Sequence, residues 1–139
     1  MSREKAEALG CEILATLGAQ CSYGIDMKYV LMAPLYSIPK CLKKEGIDLA
    51  DVDLFEINEA FSGSSAAINR ELGLDPAKVN VNGGSVALGH PIGASGCRVL
   101  VTLIHAMKRE GKKTGLASLC LGGGEAVTLI VRRSLTADT

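Results

Sequence analysis

The sequence lacks tryptophan altogether and has few other aromatic residues, three tyrosines and two phenylalanines among 139. It also lacks an excess of either charge, because 15 basic residues balance 15 acidic ones. Proteins that bind single-stranded nucleic acid stack its bases on aromatic side chains, and duplex or membrane surfaces attract an excess of basic charge. No apolar run is long enough to cross a bilayer. We therefore expect neither nucleic acid nor a membrane among the partners of this chain.

The cysteines lack the spacing of a disulfide framework or a zinc site. Their number is odd and no two of them form a CxxC pair; they are Cys11, Cys21, Cys41, Cys97 and Cys120. No secretory leader is recognisable at the N-terminus. We therefore expect free thiols, no metal site and a cytoplasmic location, where thiols stay reduced.

Proline is also scarce, with 4 residues, whereas 16 glycines and 47% hydrophobic residues indicate one packed domain with shaped turns. Strand and helix patterns predict the order βαβαβαββ after a short N-terminal helix over Ser2–Leu9. That order predicts an α/β fold with a mainly parallel five-stranded sheet, helices on both faces, and a hairpin formed by the last two strands. The predicted strands are 12–23, 54–58, 79–82, 116–121 and 126–131, and the helices are 37–44, 59–72 and 93–109. We expect residues 134–139 to form a loose tail.

A glycine-rich stretch, Asn82–Gly96, surrounds the histidine that has a functional context. Gly89 and Pro91 flank His90 and hold its backbone, so that the ring projects from a loop. The loop lies between a predicted strand and a predicted helix, where doubly wound sheets place their sites. A lone histidine is more often structural, and we interpret His105, inside the last helix, in that way. For His90 the position favours a catalytic role.

Cys120 comes just before a second glycine run, Gly122–Gly124, at the end of a predicted strand. Glycines let backbone N–H groups approach a ligand, and one such donor stabilises a developing oxyanion by about 3–4 kcal/mol. The other cysteines are interpreted mainly as small buried hydrophobes. A histidine and a cysteine on glycine-shaped loops predict a site that closes around a reacting carbonyl, with the imidazole of His90 and the thiol of Cys120 converging on one pocket.

Asn58 follows a predicted strand and has two interpretations that its residue type leaves equal. Asparagine is a favoured helix cap, and it is also an amide that can orient a water molecule or a substrate oxygen. Two other ligand classes are excluded because their sequence motifs are absent. The segment Gly93–Gly96 lacks the GxGxxG pattern of dinucleotide sites, and no phosphate loop of the GK[ST] type is present.

Three segments together resemble the C-terminal signature motifs of thiolases, in the same order and spacing. They are Asn58-Glu-Ala-Phe61, Gly89-His-Pro-Ile-Gly-Ala-Ser-Gly96 and Cys120-Leu-Gly-Gly-Gly124. The resemblance extends from about Ser2 to Arg133. It implies an acyltransferase of the acetyl-CoA C-acetyltransferase type, which carries out Claisen condensation or thiolysis between coenzyme A thioesters. These thioesters are substrates, and the resemblance implies no cofactor.

The resemblance also implies a role for individual residues. Cys120 matches the cysteine that acts as acid and base, and His90 matches the histidine that activates the nucleophile and donates to the thioester oxygen. Asn58 matches the residue that holds a water in the same oxyanion site. The N–H of Gly122 matches a donor of the other oxyanion site, and Phe61 matches a residue beside the pantetheine arm.

The chain departs from the thiolase pattern in length. Thiolases have two similar halves, and the nucleophilic cysteine lies in the N-terminal half, which this sequence lacks. By the resemblance, residues 1–16 are the last helix and connection of that half, and residues 17–139 are the C-terminal domain. We expect the chain alone to be inactive and to associate with an N-terminal half, in the same polypeptide or as a separate chain, and with copies of itself.

Two alternatives remain open at this point. The first is a stand-alone thiolase-like module that binds an acyl-CoA or a protein without turnover. The second is a related condensing enzyme such as a ketoacyl synthase. The motif at Cys120 weighs against the second alternative, because those enzymes use histidines where thiolases use this cysteine.

Overall fold

The computed structural model describes residues 1–134, in which five α-helices and four β-strands follow an α/β order. The helices are α1 (Arg3–Ala8), α2 (Pro34–Glu45), α3 (Ser62–Glu71), α4 (Ser85–Leu88) and α5 (Ser95–Arg109). The strands are β1 (Thr16–Gly24), β2 (Leu54–Ile57), β3 (Thr114–Leu121) and β4 (Glu125–Arg132). The loose tail predicted for 134–139 lies outside the described residues, apart from Ser134.

The four strands form one mixed sheet in the order β1-β4-β3-β2. Strands β2 and β3 run parallel, whereas β3 pairs with β4 and β4 with β1 in antiparallel fashion. The prediction of a mainly parallel, five-stranded sheet is therefore wrong in strand number and in direction. The connections explain the directions. A tight turn at Gly122–Gly124 joins β3 to β4 and requires antiparallel pairing, whereas the helices between β2 and β3 make the crossover that a parallel pair needs.

The segment 79–82 was predicted as the fifth strand and contributes one isolated bridge, between Val79 and Phe55. Asn80 adopts a φ of 48°, in the left-handed region, which ends the extended chain. Its side chain instead pairs with the backbone of Ile57. Oδ1 accepts the Ile57 N–H and Nδ2 donates to the Ile57 carbonyl, each at 2.9 Å. One asparagine side chain thus takes the place of a further strand beside β2.

Helices cover both faces of the sheet, as predicted. Successive side chains of β3 point to opposite faces. Leu116 packs with Ile38 of α2 and Ile130 of β4 in one buried cluster. Ala117 packs with Leu103 of α5 in a second cluster. The sheet therefore separates two apolar layers, one beneath α2 and one beneath α5.

Helix α2 begins three residues earlier than predicted. Pro34 occupies its first turn, where the missing N–H costs nothing, and Gly46 ends it with a φ of 76°. Ser37 therefore lies inside the helix. Its buried hydroxyl lies 2.7 Å from that of Thr128, which lies 2.9 Å from that of Ser118, so the sheet binds the helix through paired hydroxyls.

Helix α5 lies very close to β3 at Gly115. A Cβ built on Gly115 would lie 2.5 Å from the Met107 sulfur and 2.9 Å from a methyl carbon of Leu103. Both of these helix side chains are fully buried and have little room to shift. Among residues 1–134, none of the helices combines the length and the apolar character needed to span a bilayer.

We predict that Gly115→Val lowers the free energy of unfolding by about 1–3 kcal/mol, because the added methyl groups overpack the layer beneath α5. Urea unfolding of the purified chain would measure this loss. Gly63→Ala is the matched control, since a Cβ at Gly63 has no neighbour within 4 Å. Equal midpoints for Gly115→Val and Gly63→Ala would contradict the close approach.

Candidate active site

The carboxyl ends of β2 and β3 meet at one edge of the sheet because these strands are parallel. Asn58 follows β2 directly, and its N–H donates to the Ser118 carbonyl of β3 at 2.9 Å. Cys120 lies two residues beyond Ser118, at the end of the same strand. Two of the predicted site residues therefore lie at the same edge through backbone pairing alone.

The Asn58 side chain is buried, with 4% of its surface exposed, and its amide oxygen accepts two hydrogen bonds. The Ser85 hydroxyl donates at 2.6 Å and Nη2 of Arg98 donates at 3.2 Å. The amide nitrogen Nδ2 is buried without a hydrogen-bond partner in the described part of the chain. Helix α3 starts only at Ser62, so Asn58 is not its cap. The helix-cap interpretation is therefore wrong, and a role toward a water or a ligand stays a prediction.

The arginine that contacts the Asn58 amide also forms a buried ion pair. Nη1 of Arg98 in α5 donates to Oε2 of Glu56 in β2 at 3.1 Å, and Glu56 is 1% exposed. Burial raises the pKa of the Glu56 carboxyl to about 7, although the Arg98 guanidinium opposes the shift. Sequence analysis missed both residues. The signals that could have found them are a carboxylate inside an apolar strand and a guanidinium near the start of an apolar helix.

The glycine-rich segment before His90 contains a helix that was not predicted. Residues Ser85–Leu88 form α4, and Gly89, with a φ of 93°, ends it. Glu59 holds this helix, because its Oε2 accepts the Val86 N–H at 3.0 Å. A Cβ on Gly84 would contact the same Glu59 carboxyl, which would then have to shift away from α4. The loop thereby presses Ser85 against Asn58.

His90 is exposed, and its ring is held from one side. Nδ1 lies 2.6 Å from the Ser95 hydroxyl, which itself donates to the Pro91 carbonyl at 3.1 Å. Which of the two side chains supplies the hydrogen between them depends on the tautomer of the imidazole. In the tautomer that carries its hydrogen on Nδ1, Nε2 is free to accept a proton.

Cys120 is half-buried, and burial raises the pKa of its thiol. The turn beyond it needs glycine, since Gly123 and Gly124 have φ values of 93° and 91°. Gly122 and Phe61 are exposed. Within residues 1–134, no hydrogen bond joins the Cys120 thiol to His90 or Asn58. The convergence of imidazole and thiol on one pocket stays a prediction.

A cavity lies elsewhere, on the sheet face beside α5. Its volume is about 590 Å³, and none of the five predicted site residues lines it. Apolar walls come from β3, β4 and α5, including Leu119, Val127 and Leu100. Part of this sheet face thus has no covering layer. No group of three or more metal-ligating side chains occurs in the described range 1–134.

Comparison with known proteins gives consistent matches over nearly the whole chain. The family model "Thiolase, C-terminal domain" matches residues 11–133. The acetyl-CoA acetyltransferase of Pseudomonas aeruginosa is 53% identical over 133 residues, which are 96% of this chain and 34% of that relative. The chain thus spans about a third of the length of the curated relatives it matches.

Solved structures agree with the sequence comparison. The crystal structure of the Bacillus anthracis acetyl-CoA acetyltransferase superposes with a TM-score of 0.92 at 48% identity, covering 95% of this chain and 34% of that chain. Human mitochondrial 3-ketoacyl-CoA thiolase in complex with CoA superposes with a TM-score of 0.92 at 38% identity, covering 96% of this chain and 34% of that one.

The raised pKa of Glu56 predicts a loss of stability as the pH rises. The folded chain releases the Glu56 proton near pH 7, whereas the unfolded chain releases it near the ordinary glutamate value of 4.5. The unfolded chain therefore binds fewer protons between these values, and the free energy of unfolding falls with pH. From pH 5 to pH 8 we expect the wild type to lose roughly 2 kcal/mol relative to Glu56→Gln.

Urea unfolding at pH 5, 6, 7 and 8 would measure this difference. Glu125→Gln, at an exposed position in β4, controls for the removal of one carboxylate from the surface. Profiles of the wild type and Glu56→Gln that run parallel across this range would contradict the prediction.

Proposed function

The chain belongs to the thiolase family, and from this premise we propose that it is the catalytic C-terminal domain of an enzyme that makes or breaks carbon–carbon bonds between coenzyme A thioesters. One observation carries the proposal. A buried, unpartnered amide N–H on Asn58 lies at the sheet edge where Cys120 and its glycine turn end β3. Residues 1–16 are then the end of an N-terminal half, and 17–139 are the C-terminal domain.

Cys120 is proposed as the acid and base of the condensation step. A hydrogen on the methyl group of acetyl-CoA is only weakly acidic, so its removal needs a strong base. Burial raises the pKa of the thiol, so the thiolate, once formed, is a stronger base, and the thiol retains its proton for return to the carbanion in thiolysis.

His90 and Asn58 are proposed to stabilise the charge that this proton transfer creates. Nε2 of His90 accepts the proton of the nucleophile, and in the later step the Nε2–H donates a hydrogen bond to the thioester oxygen, while Ser95 contacts the opposite nitrogen. Nδ2 of Asn58 holds a water beside that oxygen. The Gly122 N–H serves the second oxyanion site, and exposed Phe61 contacts the pantetheine arm. Preorganised donors of this kind stabilise a developing oxyanion.

The nucleophile is proposed to come from the N-terminal half. Cys21 cannot take its place, since it lies in β1 and its thiol donates to the Ser37 carbonyl at 3.1 Å. The uncovered sheet face beside α5 supports a missing partner body, because Leu17 is 63% exposed there and Val127 is 36% exposed. An N-terminal half packed on this face would bury these side chains.

We predict that the purified chain has no acetoacetyl-CoA thiolysis activity, because no acyl-enzyme can form. Activity should appear when it is fused behind the N-terminal two thirds of the Pseudomonas aeruginosa relative. In that fusion, His90→Ala and Cys120→Ala should each lower kcat by about 10²- to 10⁴-fold. Absorbance of the substrate enolate would follow turnover.

His105→Ala is the matched control, since this histidine lies on the exposed side of α5, and it should keep wild-type activity. Robust thiolysis by the chain alone would contradict the missing nucleophile. Tight coenzyme A binding by the isolated chain, with an inactive fusion, would favour the stand-alone binding module.

We further predict that the isolated chain self-associates through the uncovered sheet face. Light scattering across a concentration series should show a rising mass for the wild type. Leu17→Glu should shift the chain toward the monomer, because a charge on this face opposes apolar contact. Leu9→Glu introduces the same change at an exposed leucine after α1 and should have little effect. A wild type that stays monomeric at high concentration would contradict this prediction.

A further inference from the structure

We infer that Arg98 is a positioning residue that fixes which way the Asn58 amide faces, and so presents the amide N–H to the reacting thioester. This inference rests on the proposed function. Asn58 touches Arg98 and Ser85 with its oxygen and leaves its nitrogen without a partner. An asparagine amide can also be rotated by 180°, so that its oxygen and nitrogen exchange places, and a neighbouring group must select one of the two orientations.

The guanidinium of Arg98 selects one orientation of the Asn58 amide. A guanidinium has five N–H donors and no acceptor. The Asn58 atom within 3.2 Å of Nη2 must therefore accept, and only the amide oxygen does so. Rotating the amide would place two donors against each other in a buried site, which costs the full desolvation penalty of both groups. The guanidinium thus excludes the rotated orientation.

Ser85 acts in the same direction. The hydroxyl accepts from Nη2 of Arg98 at 3.2 Å, so its own proton is free to go to the Asn58 oxygen, which lies 2.6 Å away. Both acceptor positions of the amide oxygen are then filled. The serine alone would not suffice, because a hydroxyl can donate or accept and would tolerate either orientation.

Glu56 holds Arg98 where this contact is possible. The guanidinium bonds to the buried carboxylate at 3.1 Å through its other terminal nitrogen. Both side chains are largely enclosed, since 17% of the Arg98 side chain and 2% of the Glu56 side chain are exposed. The site therefore gains an orientation that the short Asn58 side chain cannot impose by itself. In the rotated amide, an oxygen would face the developing enolate and repel it.

The test uses the active fusion and compares two polar replacements of Arg98. Lysine, like arginine, only donates, whereas glutamine can donate or accept. Arg98→Lys should therefore keep the amide orientation, and Arg98→Gln should release it. We expect kcat of Arg98→Gln to be about tenfold or more below that of Arg98→Lys, with KM little changed. Removal of one oxyanion donor lowers kcat by about 10²- to 10³-fold, and this factor is the upper limit for the loss of kcat in Arg98→Gln.

A double-mutant cycle separates positioning from a general structural role. Asn58→Asp keeps an oxygen toward Arg98 and replaces the donor with a second acceptor. Once this donor is gone, the orientation no longer matters, so Arg98→Gln should cost little in the Asn58→Asp background. Arg70→Gln, at an exposed arginine paired with Glu71, is the matched surface control and should leave kcat unchanged.

Each outcome decides between the two claims. Equal kcat for Arg98→Lys and Arg98→Gln, or losses that add fully with Asn58→Asp, would overturn the positioning role while the proposed function stands. Asn58→Asp with wild-type kcat would overturn the donor role of Asn58 and the inference with it. An inactive wild-type fusion would refute the proposed function itself. If Arg98→Gln does not fold, Ser85→Ala serves as the second variant, with a predicted loss of a fewfold at most, since Arg98 remains.

Discussion

The ion pair between Glu56 and Arg98 is the contact on which the geometry of the site depends. It joins β2 to α5, and the same guanidinium reaches Asn58 and Ser85. Burying two charges costs several kcal/mol per ion, and the attraction between them offsets this cost only when the geometry is good. The buried apolar contacts between α5 and the sheet, such as that of Leu103 in α5 with β3, hold that geometry. One side chain therefore couples helix packing to the orientation of a candidate catalytic amide.

The sheet brings the remaining parts to the same edge by two different pairings. The parallel pairing of β2 with β3 places Asn58 near Ser118, close to the position of Cys120. The antiparallel pairing of β3 with β4 places the glycine turn at that same edge, where the Gly124 carbonyl accepts the Ile25 N–H at 2.7 Å. A purely parallel sheet would have carried the chain away from this edge after β3.

Local patterns predicted much of the fold, and the errors have a common cause. The apolar spacing of α5 and the buried run of β2 placed those elements to within two residues. The strand number and the mainly parallel pairing were predicted wrongly, because they depend on partners distant in sequence. The φ of Asn80 and its side-chain pairing with Ile57, which end the predicted strand at 79–82, have no local signature. Motifs identified His90 and Cys120, whereas Arg98 looked like an ordinary helix residue.

The two faces of the sheet differ in a way that bears on function. Beneath α2, the hydroxyls of Ser37, Thr128 and Ser118 form a hydrogen-bonded chain between the helix and the sheet. Beside α5, Val127 lines a cavity of about 590 Å³, and Leu17 of β1 is exposed. At about 25 cal/mol per Å² of apolar surface, covering this face would release a substantial free energy of association. Under the proposed function, an N-terminal half docked on this face would cover these apolar side chains and bring the nucleophile to the site.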